Sequence, residues 1–104
     1  MTTWKYIFTS SKGSRFNYRK VDDQITPDFI HETREKLEMS SRLFSAILGI
    51  SSQRVEDWES GKSVPTAMEN RLLYLLHQHP ELADELYVYE DAATGQEIES
   101  PEIN

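Results

Sequence analysis

The sequence contains no cysteine, which excludes disulfide bridges and thiolate metal sites and favours a cytoplasmic protein. No apolar stretch approaches the roughly 20 residues that a membrane-spanning helix needs. The first residues, MTTWKYIF, lack the basic start and long apolar run of a secretory signal. With 104 residues, we expect one domain with a modest core and no membrane association.

Basic residues are almost missing from the C-terminal part of the chain. Residues 1–62 carry ten Lys or Arg against nine Asp or Glu, whereas residues 63–104 carry only Arg71 against nine Asp or Glu. The net charge of −7 therefore comes from the second part, and it does not exclude a nucleic-acid surface in the first. The acidic part is either a solubilising tail or a docking surface for a basic partner.

Capping residues and apolar spacing predict an all-α domain of five helices over residues 26–87. The expected N-caps of the first four helices are Thr26, Ser40, Ser51 and Thr66. Gly49 follows the last apolar residue of the second helix, where a left-handed C-terminal cap favours glycine. The third helix is expected to end near Ser60.

The last two predicted helices are defined mainly by leucine. Helix four is expected over residues 67–78, with an inward face at Met68, Leu72, Leu75 and Leu76. Helix five is expected over residues 81–87, with Leu82 and Leu86 as its apolar side chains. These two residues and Tyr87 are the candidate dimerisation surface.

The segments outside the helices carry weaker signals. In residues 1–25, the aromatic stretches WKYIF and RFNYRKV flank the turn composition SSKGS, which predicts either a β-hairpin or a disordered arm that binds a partner. Trp4, Tyr6, Phe8, Phe16 and Tyr18 would form a small sheet core or contact a partner. Residues 88–104 are expected to be a loose acidic tail with a turn at Thr94–Gly95.

The second and third helices have the spacing of a helix-turn-helix unit, whose short second helix enters the major groove of DNA. Gln53 suits a bidentate contact to adenine. Asp57 would either accept from a cytosine N4 amine or, together with Glu56, repel phosphates. Four further candidates carry donors suited to phosphate oxygens, namely Ser41, Arg54, Lys62 and Ser63. Ser52, on the outward face of the third helix, is the remaining DNA-binding candidate.

Residues 28–81 resemble the lambda/434-repressor class of helix-turn-helix domains, the XRE or Cro/C1 family. The resemblance lies in Arg34, MSSRLFSAILGIS and VEDWESGKSVP, and it covers about half of the chain. The following LLYLLHQHPE is most similar to HigA-type antitoxins. The chain departs from the family at Ser41, where glutamine is usual, and in the adjacent carboxylates of Glu56 and Asp57.

Arg34 lies on the predicted inward face of helix one, and a buried charge needs a partner. Helix three presents Glu59 inward. The resemblance implies the same pairing, because family members commonly join an arginine of the first helix to a glutamate at the end of the third. We therefore expect a largely buried Arg34–Glu59 ion pair.

The resemblance also implies a function. A HigA-type antitoxin neutralises a small basic toxin of the RelE/HigB type and represses its own operon by binding a palindromic operator as a homodimer. The alternatives are a stand-alone regulator of the same fold without a toxin, and a protein-interaction module that has lost DNA binding.

Enzymatic chemistry has no support in the sequence. His77 and His79 lie two residues apart, which suits neither one helix face nor a common metal spacing. No nucleophile motif and no glycine-rich phosphate loop is present, so we expect neither an enzyme nor a cofactor.

Overall fold

The structure is a computed structural model that describes residues 7–9, 11–13 and 15–99. Four α-helices form the body, and they are followed by a helix of the tighter 3₁₀ type at Pro80–Glu85. A further short 3₁₀ helix, Asp22–Gln24, precedes them and was not predicted. The α-helices are α1 (Pro27–Lys36), α2 (Ser41–Leu48), α3 (Ser52–Ser60) and α4 (Ala67–Gln78).

The four predicted N-caps are confirmed, because each side chain accepts a hydrogen bond from the backbone N–H three residues later. These caps are Thr26, Ser40, Ser51 and Thr66. At Thr66 the cap is reciprocal, since the carboxylate of Glu69 accepts from the Thr66 N–H at 2.8 Å. The starts of the α-helices are thus specified by local sequence.

The core lies between the four α-helices. Trp58 and Phe44 are its largest fully buried side chains, and Ile30, Val55 and Leu73 pack beside them. The turn between α2 and α3 begins at Gly49, whose φ of 76° is left-handed as predicted. Ile50 then packs back on the core and donates its N–H to the carbonyl of Ser45 at 3.0 Å.

The predicted inward face of helix four is partly wrong. Met68 and Leu75 are 82% and 49% exposed, whereas Leu73, which was not in the predicted set, is 1% exposed. Leu76 is buried and Leu72 is half-buried, as expected. The face that packs against α1 is therefore turned toward Leu73, and the leucine run LLYLL does not define this rotation by itself.

The fifth helix begins one residue earlier than predicted and is a 3₁₀ helix that ends at Glu85. Its buried side chain is Ala83, at 2% exposure, while Leu82 and Leu86 are each 37% exposed. Ala83 is therefore the side chain through which this helix packs on the core, and both leucines remain partly exposed.

Short strands precede and follow the helices along the chain. In the N-terminal segment, β1 (Ile7–Thr9) pairs antiparallel with β2 (Arg15–Asn17) and aligns Phe8 with Phe16. The hairpin alternative is thus the one observed, and the fold prediction is confirmed. Trp4 and Tyr6 lie outside the described residues.

The expected loose tail contains a second short hairpin. Strand β3 (Tyr89–Glu90) pairs antiparallel with β4 (Glu97–Ile98). The turn lies at the predicted place, and Gly95 has a φ of 72°. Asp91 accepts from the N–H groups of Ala93 and Thr94, which closes the turn.

Candidate nucleic-acid interface

The N-terminal end of α3 is exposed to solvent. Ser51 is the cap, and Ser52, Gln53 and Arg54 form the first exposed turn. Val55 and Trp58, on the opposite face, are 0% and 1% exposed and hold the helix on the core. This arrangement presents small polar side chains on a short, firmly supported helix, which is what major-groove reading requires.

Two of the predicted DNA-binding side chains contact each other. Gln53 Nε2 donates to Asp57 Oδ1 at 2.9 Å, one helical turn further along. The Asp57 main-chain carbonyl accepts from the N–H groups of Lys62 and Ser63 at 2.8 and 3.2 Å. Asp57 therefore links the exposed glutamine with the loop that follows α3.

Arg54 is held by contacts with the protein. Its Nη2 donates to Glu69 Oε1 at 2.7 Å, and its guanidinium lies 5.4 Å from the centre of the Trp58 ring. Glu69 is the residue that also closes the cap of α4. A phosphate contact by Arg54 would thus compete with an existing ion pair.

The remaining predicted contacts lie at the ends of the motif. Ser41 is half-buried at the first position of α2, and Lys62 and Ser63 are exposed in the loop after α3. Gly61 permits this loop with a φ of 82°. Side-chain donors in such positions suit phosphate oxygens.

The structure brings Arg34 and Glu59 together in a bidentate pair. Nε donates to Oε2 and Nη2 donates to Oε1, each at 2.8 Å, and the two side chains are 20% and 14% exposed. Nη1 of Arg34 also donates to the carbonyl of Met39 at 3.1 Å. The end of α3 is thereby tied to α1 and to the residue before the cap of α2.

His31 joins this pair, which the sequence analysis missed. Its Nδ1 lies 2.7 Å from Glu59 Oε1, and its Nε2 contacts Glu35. The sequence could have indicated this contact, because Arg34 and Glu35 follow His31 by three and four residues and therefore lie on the same helix face. The cluster therefore places a guanidinium and an imidazole around one mostly buried carboxylate.

The cluster shifts the pKa values of its members. The hydrogen bond to Glu59 raises the pKa of His31 above its usual 6.5, and it likewise raises the pKa of Arg34. Burial raises the pKa of Glu59, but the hydrogen bonds from Arg34 and His31 outweigh this effect and lower the pKa below 4.5. All three shifts favour the charged forms.

A concave acidic surface, which we call the acidic groove, lies between the Pro80–Glu85 helix and the second hairpin. It has a volume of about 610 Å³ and combines carboxylates with apolar side chains. The carboxylates are those of Glu81, Asp84, Glu85, Glu97 and Glu99, and the apolar side chains are those of Leu86, Tyr87, Val88 and Ile98. Two of the three proposed dimerisation residues, Leu86 and Tyr87, line it, and Leu82 does not.

Two further features are absent from the described parts of the chain. Residues 7–9, 11–13 and 15–99 contain no group of three or more His, Asp or Glu side chains arranged to hold a metal ion. Among the helices described here, none combines the length and apolar character needed to cross a membrane.

Comparison with known proteins identifies the family. Residues 6–87 match the family model of MqsA, described as the antitoxin component of a bacterial toxin–antitoxin system. The chain belongs to the MqsA antitoxin family. The match covers the first hairpin and all of the helices, so it includes the candidate interface.

Two curated relatives carry antitoxin names. Antitoxin HigA-2 of Vibrio cholerae is 44% identical over 57 residues, which is 55% of each chain. Antitoxin MqsA of Escherichia coli is 31% identical over 64 residues, which is 62% of this chain and 49% of the relative. The HigA-type resemblance is thus confirmed, and the chain spans about half the length of the curated relatives it matches.

Proposed function

We propose that this protein is a sequence-specific DNA-binding repressor that acts as the antitoxin of a toxin–antitoxin pair and represses its own operon. The observation that carries the proposal is the exposed N-terminal turn of α3 with Gln53 at its second position. Membership of an antitoxin family supports the second role.

DNA reading would follow the usual division of labour in this fold. Gln53 reads a base edge in the major groove, while Ser41, Ser52, Lys62 and Ser63 contact phosphates. In a homodimer that binds a palindromic operator, the two α3 helices would lie about 34 Å apart, one turn of the duplex. Leu82, Leu86 and Tyr87, all at least 37% exposed, are the proposed dimer surface.

The DNA-binding part is tested by gel-shift titration with the protein's own promoter over a range of salt concentrations. Gln53→Ala should weaken specific binding by about fivefold or more, because a good bidentate contact contributes about 1–3 kcal/mol. Lys62→Ala should lower the slope of log K against log salt by about 0.9 for each subunit bound. Wild-type protein without salt-sensitive binding would rule out the repressor.

The toxin-binding part is supported by the acidic groove. Its five carboxylates, with Val88 and Ile98 beside them, suit a cationic protein of the RelE/HigB type rather than nucleic acid, and they leave Leu86 and Tyr87 to the proposed dimer surface. The test is to look for a small basic protein encoded by the neighbouring gene, and to measure its co-purification with this protein and its inhibition. Glu81→Lys/Glu85→Lys should release that protein, whereas Glu38→Lys/Glu56→Lys, an equal change of charge outside the groove, should not.

Two alternatives would give different results. A stand-alone regulator would bind its promoter but no neighbouring gene product. A protein-interaction module without DNA binding, which Glu56 and Asp57 favour as carboxylates on the reading face, would bind a protein partner but no duplex.

A further inference from the structure

We propose that Asp57 is a positioning residue, which orients the Gln53 amide for adenine and does not itself read a base. The inference rests on the proposed DNA-binding function. Its geometric basis is the 2.9 Å hydrogen bond from Gln53 Nε2 to Asp57 Oδ1. Gln53 is exposed at the start of α3, while Asp57 is half-buried one turn further along.

The hydrogen bond leaves the base-reading groups of Gln53 available. A glutamine amide has two N–H donors and a carbonyl oxygen that accepts. Asp57 takes one N–H, so the second N–H and Oε1 remain. Adenine presents an N7 acceptor and an N6 donor in the major groove, which this remaining pair matches.

The carboxylate also determines which end of the amide faces Asp57. An ionised carboxylate only accepts hydrogen bonds, so Nε2 faces Asp57 and the reverse orientation is disfavoured. Guanine presents two acceptors, N7 and O6, at the same edge. Oε1 held in place would meet guanine O6 with lone pair against lone pair, so the restraint selects adenine over guanine.

Asp57 is itself well placed to act as a fixed point. Its carbonyl accepts from Lys62 and Ser63, and from the Ser60 hydroxyl at 3.2 Å. These contacts close the C-terminal end of α3 at Gly61. The main chain of Asp57 is therefore anchored by the helix end, and the hydrogen bond from Gln53 to its carboxylate reduces the side-chain freedom that Gln53 loses when it meets DNA.

This role accounts for a carboxylate on a face that approaches phosphates. Its negative charge weakens binding to every duplex alike, whereas its hydrogen bond improves discrimination at one base pair. Removing it should change the two quantities in opposite directions. A role in charge repulsion alone would change affinity for all sequences and leave discrimination unaltered.

The test uses the full chain and the operator found by selection from random duplexes. Affinities for that operator, for its adenine-to-guanine variant at the Gln53-dependent position and for mixed-sequence DNA are measured for wild type, Asp57→Ala, Asp57→Asn and Gln53→Ala. Glu56→Gln is the matched control, because it removes one exposed negative charge from the same helix without contacting Gln53 in the structure.

In Asp57→Ala, adenine-over-guanine discrimination should fall by about three- to tenfold, the effect of freeing one flexible side chain. Binding to mixed-sequence DNA should tighten at the same time. Asp57→Asn, which can accept or donate, should lose less discrimination. Glu56→Gln should tighten binding without loss of discrimination, and Asp57→Ala should have no effect on discrimination in a Gln53→Ala background.

Two results would overturn the inference and leave the repressor intact. One is Asp57→Ala behaving like Glu56→Gln. The other is a changed preference at a cytosine instead of the Gln53-dependent adenine, which would make Asp57 a base reader. Failure of the wild type to bind any duplex in a salt-sensitive manner would instead reject the proposed function and the inference with it.

Discussion

Arg34 and Glu59 are joined by two hydrogen bonds of 2.8 Å, which close a ring between the guanidinium and the carboxylate across α1 and α3. The pair is mostly buried, so neither charge is well solvated if the other is removed. The pair holds the C-terminal end of α3, whereas Gln53 lies at the N-terminal end of the same helix. The orientation of the candidate reading helix therefore depends on a contact made far from Gln53.

We expect Glu59→Gln to destabilise the protein by about 2–4 kcal/mol, because it leaves Arg34 partly buried without its counter-charge. Urea unfolding followed by circular dichroism measures this loss. Glu56→Gln, on the exposed side of α3, is the control and should change stability by less than about 0.5 kcal/mol. Equal stabilities of the two variants would contradict the structural role of the pair.

The His31 contribution should depend on pH. The pKa of His31 is raised above 6.5, so its contact with Glu59 stabilises the fold fully below pH 6.5 and is lost as pH rises through the raised pKa. We therefore expect His31→Gln to lower the Tm at about pH 5.5 and to differ little from wild type at about pH 9. A difference independent of pH would show that protonation of His31 is not involved.

The contribution of Glu59 to stability should decrease in acid, whereas that of His31 decreases as pH rises. Its pKa is lowered below 4.5, so its stabilising effect is present above pH 4.5 and is lost as pH falls through the lowered pKa. The difference in Tm between wild type and Glu59→Gln should shrink in acid. Calorimetric scans between about pH 2.5 and about pH 6 would reveal this convergence, and parallel curves would exclude it.

Glu69→Gln should strengthen binding to DNA. The glutamine side chain can still accept from the Thr66 N–H and so preserves the cap. The substitution removes the negative charge that holds Arg54. The free guanidinium should steepen the slope of log K against log salt by up to about 0.9. Glu85→Gln removes the same charge in the acidic groove, and equal slopes for the two variants would mean that Arg54 does not reach phosphate.

Gly49→Ala should destabilise the protein by about 1–2 kcal/mol, since a side chain is strained at a φ of 76°. No atom lies within 4 Å of the place that its Cβ would occupy, so the cost is one of backbone conformation and not of a clash. Asn at this position, which adopts left-handed backbone more readily, should cost less. Chemical denaturation of both variants checks this order.

The parts of the fold that follow from local chemistry could be predicted from the sequence. Thr26, Ser40, Ser51 and Thr66 each cap their own helix, and Gly49 ends its helix, without any need for tertiary contacts. The rotation of α4 could not be predicted in this way. Four leucines among residues 72–76 leave two faces of the helix almost equally apolar, and packing against α1 decides that Leu73 is buried.

The candidate interface likewise combines features that local sequence predicts with features that depend on packing between helices. Exposure of Gln53 follows from the helical period, and exposure of Lys62 and Ser63 follows from their place in the loop after Gly61, as expected. The engagement of Arg54 by Glu69 depends on how α4 packs beside α3, which no local pattern of residues encodes. The bond between Gln53 and Asp57 spans one helical turn, so spacing alone permits it, but many such pairs on exposed helices point into solvent instead.

Asp57 also links the proposed base contact to the proposed phosphate contacts. Its side chain holds the glutamine proposed to read a base, and its carbonyl holds the amides of Lys62 and Ser63, proposed to contact the phosphates. The separation between base contact and backbone contact is therefore set within a single residue. Lengthening the loop between Gly61 and Pro65 would therefore displace the proposed phosphate contacts while Gln53 stayed in place.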